Sequence, residues 1–269
     1  MNIRASSKAG VESIPNGWRL EIQKGDSLRY RLAQLDDYSR LARRNFPHHS
    51  LTLSLRARAS SDSIPGTWGF GVWNDPFGLS LGFGGNPFQL PALPNAAWFF
   101  HASEENYLSF RDPAIDGRVS GGVSIHPSGN STAAAVSRPP AAANGFLAQV
   151  FRSPRFDLRL IPAGLTFPFS RKTTRRLLSR VIEEDGVALS VDVTQWHGYR
   201  LEWSPRRVLF EVDGVRALET SVSPRPPLGV VIWIDNQYAA FTPEGKIRFG
   251  VLKNPEPAWI EINNLEWNA

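Results

Sequence analysis

Residues 196 to 214 read WHGYRLEWSPRRVLFEVDG, and the apolar and polar positions alternate through most of the stretch. Tyr199, Leu201 and Trp203 are separated by Arg200 and Glu202, and Val208, Phe210 and Val212 by Leu209 and Glu211. A period of two places one face of each strand in a core. Ser204-Pro205-Arg206-Arg207 supplies the intervening turn and Asp213-Gly214 starts another, so the segment predicts a β-hairpin. Leu51 to Arg58 alternates as strictly, and Trp18–Ile22 and Leu28–Leu32 predict an opening hairpin around Lys24-Gly25-Asp26. Residues 1–16 are polar and expected to fray, and Gln34 to Phe46 reads as a short helix or an ordered loop ended by Pro47.

Further strands are expected at Ala96–Phe100, Tyr107–Phe110 and Gly145–Phe151, with Phe156–Leu160 as a continuation. Between Ile64 and Pro91 the chain is rich in glycine and aromatics. The glycines match no dinucleotide or phosphate-loop pattern, and they fit places where backbones approach closely and rings lie over them. Residues 119–145 carry almost nothing bulky and predict a mobile loop. One helix is predicted over Thr174–Asp185, with Leu177, Leu178, Val181 and Ile182 as its apolar stripe and Gly186 as its C-cap. Its charges oppose the helix dipole: Arg175 and Arg176 stand near the start, Glu183, Glu184 and Asp185 at the end. Packing can override that cost, or the charges serve contacts elsewhere.

The 269 residues include 21 Pro and 22 Gly, spread throughout, which favours many short strands over a helical bundle. A single domain spanning 1–269 is expected from this length. With no cysteine there is no disulfide framework, and with no long apolar run there is no signal peptide or membrane helix, so a cytoplasmic protein is expected. The net charge is +5, and arginines outnumber lysines 25 to 5. Genome base composition accounts for such a bias, and arginine's planar fork equally suits an anionic ligand. The pairs Arg175-Arg176 and Arg206-Arg207 are too short for a nucleic-acid tract.

The string W-H-x-Y-x-L-E-W-S-P followed by a strand and V-D-G resembles a hairpin of the concanavalin A-like lectin/glucanase superfamily, most closely glycoside hydrolase family 16. Residues 66–73, 227–236, and 259–262 with 265–267 resemble further strands of that pattern. The resemblance implies an all-β fold, a two-sheet antiparallel jelly-roll sandwich, here with one short inserted helix. It also implies a carbohydrate groove on the concave face and a structural calcium in some members, although no spacing here locates its oxygen ligands. The family's E-x-D-x-x-E strand is absent: the corresponding segment, Ala96–Ser103, holds no carboxylate, and Glu211-Val212-Asp213 lacks the third acid.

If Ile232 and Ile234 face the core, Trp233, Asp235 and Gln237 face the groove, and Trp73, Asp75 and Trp98 can line it too. Indole faces stack on sugar rings, and Asp, Asn and Gln bind hydroxyls. Asn236 and His101 complete the candidate ligand-binding set. The same aromatics also suit an ordinary sandwich core, and Asn236 and Asp75 a strand end. No histidine spacing fits a metal site: His48 and His49 are adjacent, and His101, His126 and His197 are isolated. Three function classes follow. The first is a carbohydrate- or glycoside-binding protein, its ligand open to being anionic. The second is a glycosidase with relocated acids, for which Asp75, Glu105 and Asp235 are the catalytic candidates and two carboxyls within roughly 5 to 10 Å the requirement. The third is a protein-interaction module. Neither nucleic acid nor membrane is an expected partner, and the oligomeric state is open.

Overall fold

The computed structural model describes residues 1–76, 92–111, 135–137, 139, 141–154 and 169–268. In chain order the strands are β1 (Asn2–Ala5), β2 (Ala9–Ile14), β3 (Gly17–Ile22), β4 (Leu32–Asp36), β5 (Leu51–Ala59), β6 (Thr67–Trp73), β7 (Ala96–Ala102), β8 (Ala135–Ser137) and β9 (Gly145–Arg152). The helix α1 (Arg171–Leu178) precedes β10 (Glu183–Ser190), β11 (His197–Ser204), β12 (Arg207–Val212) and β13 (Val215–Thr220). The chain then forms β14 (Gly229–Asp235), β15 (Gln237–Phe241), β16 (Ile247–Val251) and β17 (Ala258–Asn268).

Among the described residues an eight-stranded sheet runs β1-β4-β14-β6-β7-β9-β10-β8, and a seven-stranded sheet runs β13-β12-β11-β5-β17-β3-β2. The β15–β16 ribbon stands apart from both. The strand pairings are antiparallel, and one apolar core lies between the two sheets. This is the all-β sandwich with one short helix that the sequence predicts.

The seven-stranded sheet follows simple alternation. Tyr199, Leu201 and Trp203 of β11 and Val208, Phe210 and Val212 of β12 are buried in the common core, so the predicted hairpin forms in the predicted register. Its outer face carries ion pairs such as Arg207–Glu219 at 3.0 Å and Arg58–Glu261 at 2.7 Å. The eight-stranded sheet is different, because β7 and β14 are buried along their whole length. Phe70, Val72, Phe99, Ile232 and Ile234 point into the inter-sheet core. Trp73, Trp98, Phe100, Phe151 and Trp233 point the other way, into a second apolar cluster.

Several sequence expectations change. Trp18–Ile22 and Leu28–Leu32 do not form a hairpin: β3 pairs with β2 and β17, whereas β4 belongs to the other sheet. The chain crosses the sandwich between them, held by buried Arg31, whose guanidinium donates to the carbonyls of Asp26 (3.0 Å) and Arg29 (3.1 Å). A Cβ at Gly25 would lie 1.8 Å from that guanidinium, so a larger residue there would displace the Arg31 side chain. Residues 1–16 are not frayed, because β1 pairs with β4 and β2 with β3. The 34–46 segment begins as the end of β4 and holds only a single 3-10 turn, Arg43–Asn45. Tyr107–Phe110 is not a strand and makes only an isolated bridge to Ala240.

The helix is shorter and earlier than predicted. It is capped by Ser170, whose Oγ accepts from the Thr173 amide at 3.3 Å, and it ends at Leu178. Glu183–Gly186 instead belong to β10, paired with β9. The Glu184 carboxylate accepts from the Phe110 amide (2.7 Å), Ser109 Oγ (3.2 Å) and Gln149 Nε2 (2.9 Å), contacts that the predicted helix could not have anticipated. Most of the predicted 119–145 loop lies outside the described residues, although 135–137 forms β8 and Gly145 begins β9; Phe156–Leu160 lies outside them altogether.

The core between the sheets sets the stability. Trp203 is 2% exposed and its indole donates to the Pro224 carbonyl at 3.2 Å. Trp203→Ala is expected to lower unfolding free energy by about 3–5 kcal/mol, read as a shift in the urea midpoint.

Candidate functional site

The outer face of the eight-stranded sheet forms the floor of a cavity of about 410 Å³. Its residues follow from period two in five neighbouring strands. In β6, Trp68, Phe70 and Val72 enter the core, leaving Thr67, Gly69, Gly71 and Trp73 on the cavity side. The two glycines make room for the neighbouring indoles. Gly69 is the direct cross-strand partner of Trp233, and Gly71 that of Trp98. A Cβ at Gly69 would meet Trp233 Cη2 at 2.9 Å, and one at Gly71 would meet Trp98 Cβ at 2.8 Å. Trp73 and Trp233 then stack with centroids 5.7 Å apart and an 8° interplanar angle, while Trp98 tilts against Trp233 at 5.6 Å. The role expected for the 64–91 glycines is therefore met at these two described positions.

A polar cluster occupies one end of this floor. The register sets Asp235 opposite Thr67 on one side and Leu32 on the other. Asp235 Oδ1 accepts from Thr67 Oγ1 at 2.8 Å and from the Gln237 amide at 3.3 Å, and Oδ2 accepts from the Tyr30 hydroxyl at 3.2 Å. Thr67 Oγ1 in turn accepts from the Trp233 indole at 2.9 Å, which fixes that ring. Burial raises the Asp235 carboxyl to about 6 despite these three donors. Burial, and then the charge of Asp235, drives the Tyr30 hydroxyl well above its ordinary value.

The opposite end of the floor holds Asp75, just beyond β6. Burial raises its carboxyl, opposed chiefly by the Arg43 guanidinium, which also donates to the Asp75 carbonyl. Tyr38 receives the Trp73 indole proton at 2.6 Å and lies against Gly229, where a Cβ would come within 2.3 Å of its ring. Toward β9, Trp98 and Gln149 are direct cross-strand partners. Trp98 Nε1 and Gln149 Oε1 are buried and lack hydrogen-bond partners, so this pair of residues carries an unused donor and an unused acceptor.

Of the residues singled out by sequence, Trp73, Asp75, Trp98, Trp233, Asp235 and Gln237 all line this cavity. Three others do not. His101 falls on the core side of β7, because alternation from Trp98 and Phe100 turns it away. It stacks on Trp68 at 5.6 Å, and burial lowers its pKa to about 4, so it is a neutral core residue at pH 7. Asn236 is fully buried and spent on the backbone: its side chain accepts from the Arg31 amide at 2.8 Å and donates to the carbonyls of Arg29 (3.2 Å) and Leu252 (2.9 Å). Glu105 lies exposed in the turn after β7 and does not line the cavity.

Sequence reading missed Tyr30, Thr67 and Gln149. Alternation within GFLAQVFR places Gln149 beside Leu147 and Phe151, but Tyr30 and Thr67 reach Asp235 from distant parts of the chain. Among the described residues no group of three or more His, Asp or Glu could hold a metal ion, and no helix is long and apolar enough to cross a membrane. His48, of the adjacent pair, and the isolated His197 each gain a carboxylate, Asp37 at 2.6 Å and Asp213 at 2.7 Å, and neither lines the cavity. His126 lies outside the described residues.

The Asp235 pKa carries a pH signature. A carboxyl raised from 3.8 to about 6 binds its proton more tightly when folded, so between those pH values the folded state holds more protons and stability falls as pH rises. Ionising it in the folded protein costs about 3 kcal/mol, a loss complete above pH 6 and absent below pH 4. Asp235→Asn is expected to gain stability relative to wild type as pH rises from 4 to 6.5, measured as the difference between their urea midpoints.

No family profile matches the sequence, and no curated protein does. Solved structures do match. A LamAcat structure from Zobellia galactanivorans shares 13% identity over 94% of this chain and 80% of its own, with a TM-score of 0.44. The β-glucanase of Bacillus licheniformis shares 10% identity over 97% and 81%, with a TM-score of 0.41. A legume lectin-like domain from Entamoeba histolytica shares 10% identity over 99% and 89%, with a TM-score of 0.43. The chain also spans 17% of the length of a sialidase, at 9% identity and a TM-score of 0.41.

Proposed function

We propose that this protein binds a small glycoside whose apolar aglycone rests on the indole floor and whose sugar hydroxyls meet the polar end at Asp235. The observation that carries this reading is the joining of three tryptophans, Trp73, Trp98 and Trp233, to a buried carboxylate in one cavity. An aromatic surface favours the apolar faces of rings, and a carboxylate accepts from hydroxyls. The rest of the lining, which includes Leu32, Phe100, Phe110, Phe151 and Phe241, is more apolar than a bare sugar needs, and it favours an aglycone in addition.

The placement of the acids favours binding over hydrolysis. Asp235 stands opposite Thr67 at the start of β6, and Asp75 follows Trp73 at its end. The six steps of strand from Thr67 to Trp73 correspond to about 20 Å of backbone, a poor arrangement for a carboxyl pair that should stand within roughly 10 Å. Glu105 faces solvent and adds no third acid. One observation favours the catalytic alternative: Asp235 titrates near neutrality, as a general acid should.

The test is a titration with 2-naphthyl glucoside, phenyl glucoside and free glucose, followed by intrinsic tryptophan fluorescence. The naphthyl compound is expected to bind saturably and most tightly, with at least tenfold weaker binding in Asp235→Asn and Trp233→Ala proteins that retain the wild-type circular dichroism. No saturable response to any glycoside would overturn the reading. Release of naphthol during incubation would replace binding with hydrolysis.

A further inference from the structure

A second hollow, of about 210 Å³, lies on the polar side of α1. Four cationic side chains line it, Arg111, Lys172, Arg175 and Arg176, together with Ser179 and a single carboxylate, Glu244. Lys172, Arg175, Arg176 and Ser179 are spaced i, i+3, i+4 and i+7, so they form one stripe along the helix and its first following turn. Leu178, on a different face, lines the large cavity instead.

This stripe is locally unfavourable. Like charges three and four residues apart repel, and a lysine in the first turn opposes the helix dipole. Glu184 and Asp185 offer little relief, since they approach Arg111 at 3.8 Å and stand in β10. Arg175 is 2% exposed and held rigidly, donating to the carbonyls of Phe110 (2.7 Å), Phe241 (3.0 Å) and Ser109 (2.5 Å). Its charge is thus fixed at the base of the hollow. The side chains of Lys172 and Arg176 are exposed, and Lys172 acts on the Glu244 carboxyl, whose pKa is lowered first by its hydrogen bond with Thr242 and further by nearby lysines. The fixed Arg175 and the exposed Lys172 and Arg176 set three cations against Glu244 in the hollow, and the Ser179 hydroxyl donates to the Arg176 carbonyl at 2.8 Å. Planar guanidinium forks suit tetrahedral oxyanions with several acceptor oxygens.

We infer that this hollow is an oxyanion site of the phosphate or sulfate class, distinct from the aromatic cavity. The two share a wall, because Phe110 and Phe241, whose carbonyls hold Arg175, also line the large cavity. An anion bound to Lys172, Arg175 and Arg176 therefore braces α1 and this wall together. The anion is either free or carried by the molecule that occupies the cavity. The inference does not depend on the glycoside reading, since inorganic phosphate alone tests it.

The experiment measures the melting temperature of the full chain against increasing sodium phosphate or sodium sulfate, with sodium chloride controls of equal ionic strength. Wild type is expected to show a saturable rise above the chloride control. The Lys172→Gln/Arg176→Gln double variant, altered only at exposed positions, is expected to need at least tenfold more phosphate for the same rise. Its 2-naphthyl glucoside titration should match wild type. A second arm compares 2-naphthyl phosphate with inorganic phosphate: tighter binding of the former, weakened in the double variant, supports a ligand-borne anion, and equal binding supports a free one. Absence of a saturable rise in wild type, or an identical rise in the double variant, would overturn the inference.

Discussion

The structure depends on a sheet that is apolar on both faces. Such a sheet has to be covered twice, because each exposed apolar face would cost free energy roughly in proportion to its area. Here the seven-stranded sheet covers one face of the eight-stranded sheet with Leu53, Leu201, Trp203 and Phe210. The second face, with Trp73, Trp98, Phe100 and Trp233, is only partly filled by its own rings and by Tyr38, Phe46 and Phe110. What remains unfilled is the cavity. The candidate site is thus a consequence of how the second face is packed, and Gly69 and Gly71 shape that packing by leaving room for Trp233 and for the close approach of Trp98.

Polar groups follow from the same constraint. A carboxylate placed among tryptophans needs donors, and Asp235 has three, from Thr67, Tyr30 and the Gln237 amide. They come from three separate segments, so the charge is tied to the residues before β4, to β6 and to the start of β15 as well as to its own strand. The three donors do not fully offset desolvation, since the carboxyl still titrates at about 6. Arg175 shows the other solution for a buried charge: backbone carbonyls surround the guanidinium, and its stem and head pack against Phe110 and Phe241. The helix that seems wrongly charged in isolation is one whose arginine has been recruited by the neighbouring wall.

The outside of the seven-stranded sheet handles charge cheaply by comparison. Arg19 and Arg58 lie over Trp259 and share Glu261, and Arg58 and Arg56 lie over Trp196. Exposed pairs of this kind contribute little individually, but they keep indoles from forming an open apolar patch. Aromatic residues on this face are therefore paired with cations, whereas those on the other sheet are paired with glycines. The difference separates a solvated surface from a cavity floor.

Strand identity was legible wherever one face is wet. The β5 and β11–β12 segments alternate because water faces one side and the core the other, and the alternation of Ile232 and Ile234 with Trp233, Asp235 and Gln237 separates the core side of β14 from the side where the cavity lies. Where both environments are apolar, periodicity carries less information, and His101 was assigned to the wrong side although its offset from Trp98 already placed it in the core. The partnership of segments was not legible at all. Nothing local shows that Trp18–Ile22 and Leu32 belong to opposite sheets, that Glu184 leaves a helical pattern to serve β9 and Phe110, or that Tyr30 and Thr67 close on Asp235. By itself the sequence determined the fold class and which residues share a strand face, because these depend on near neighbours and a fixed period. Tertiary structure alone decided which faces meet, which polar groups find donors and where space is left, because these depend on contacts between residues far apart in the chain.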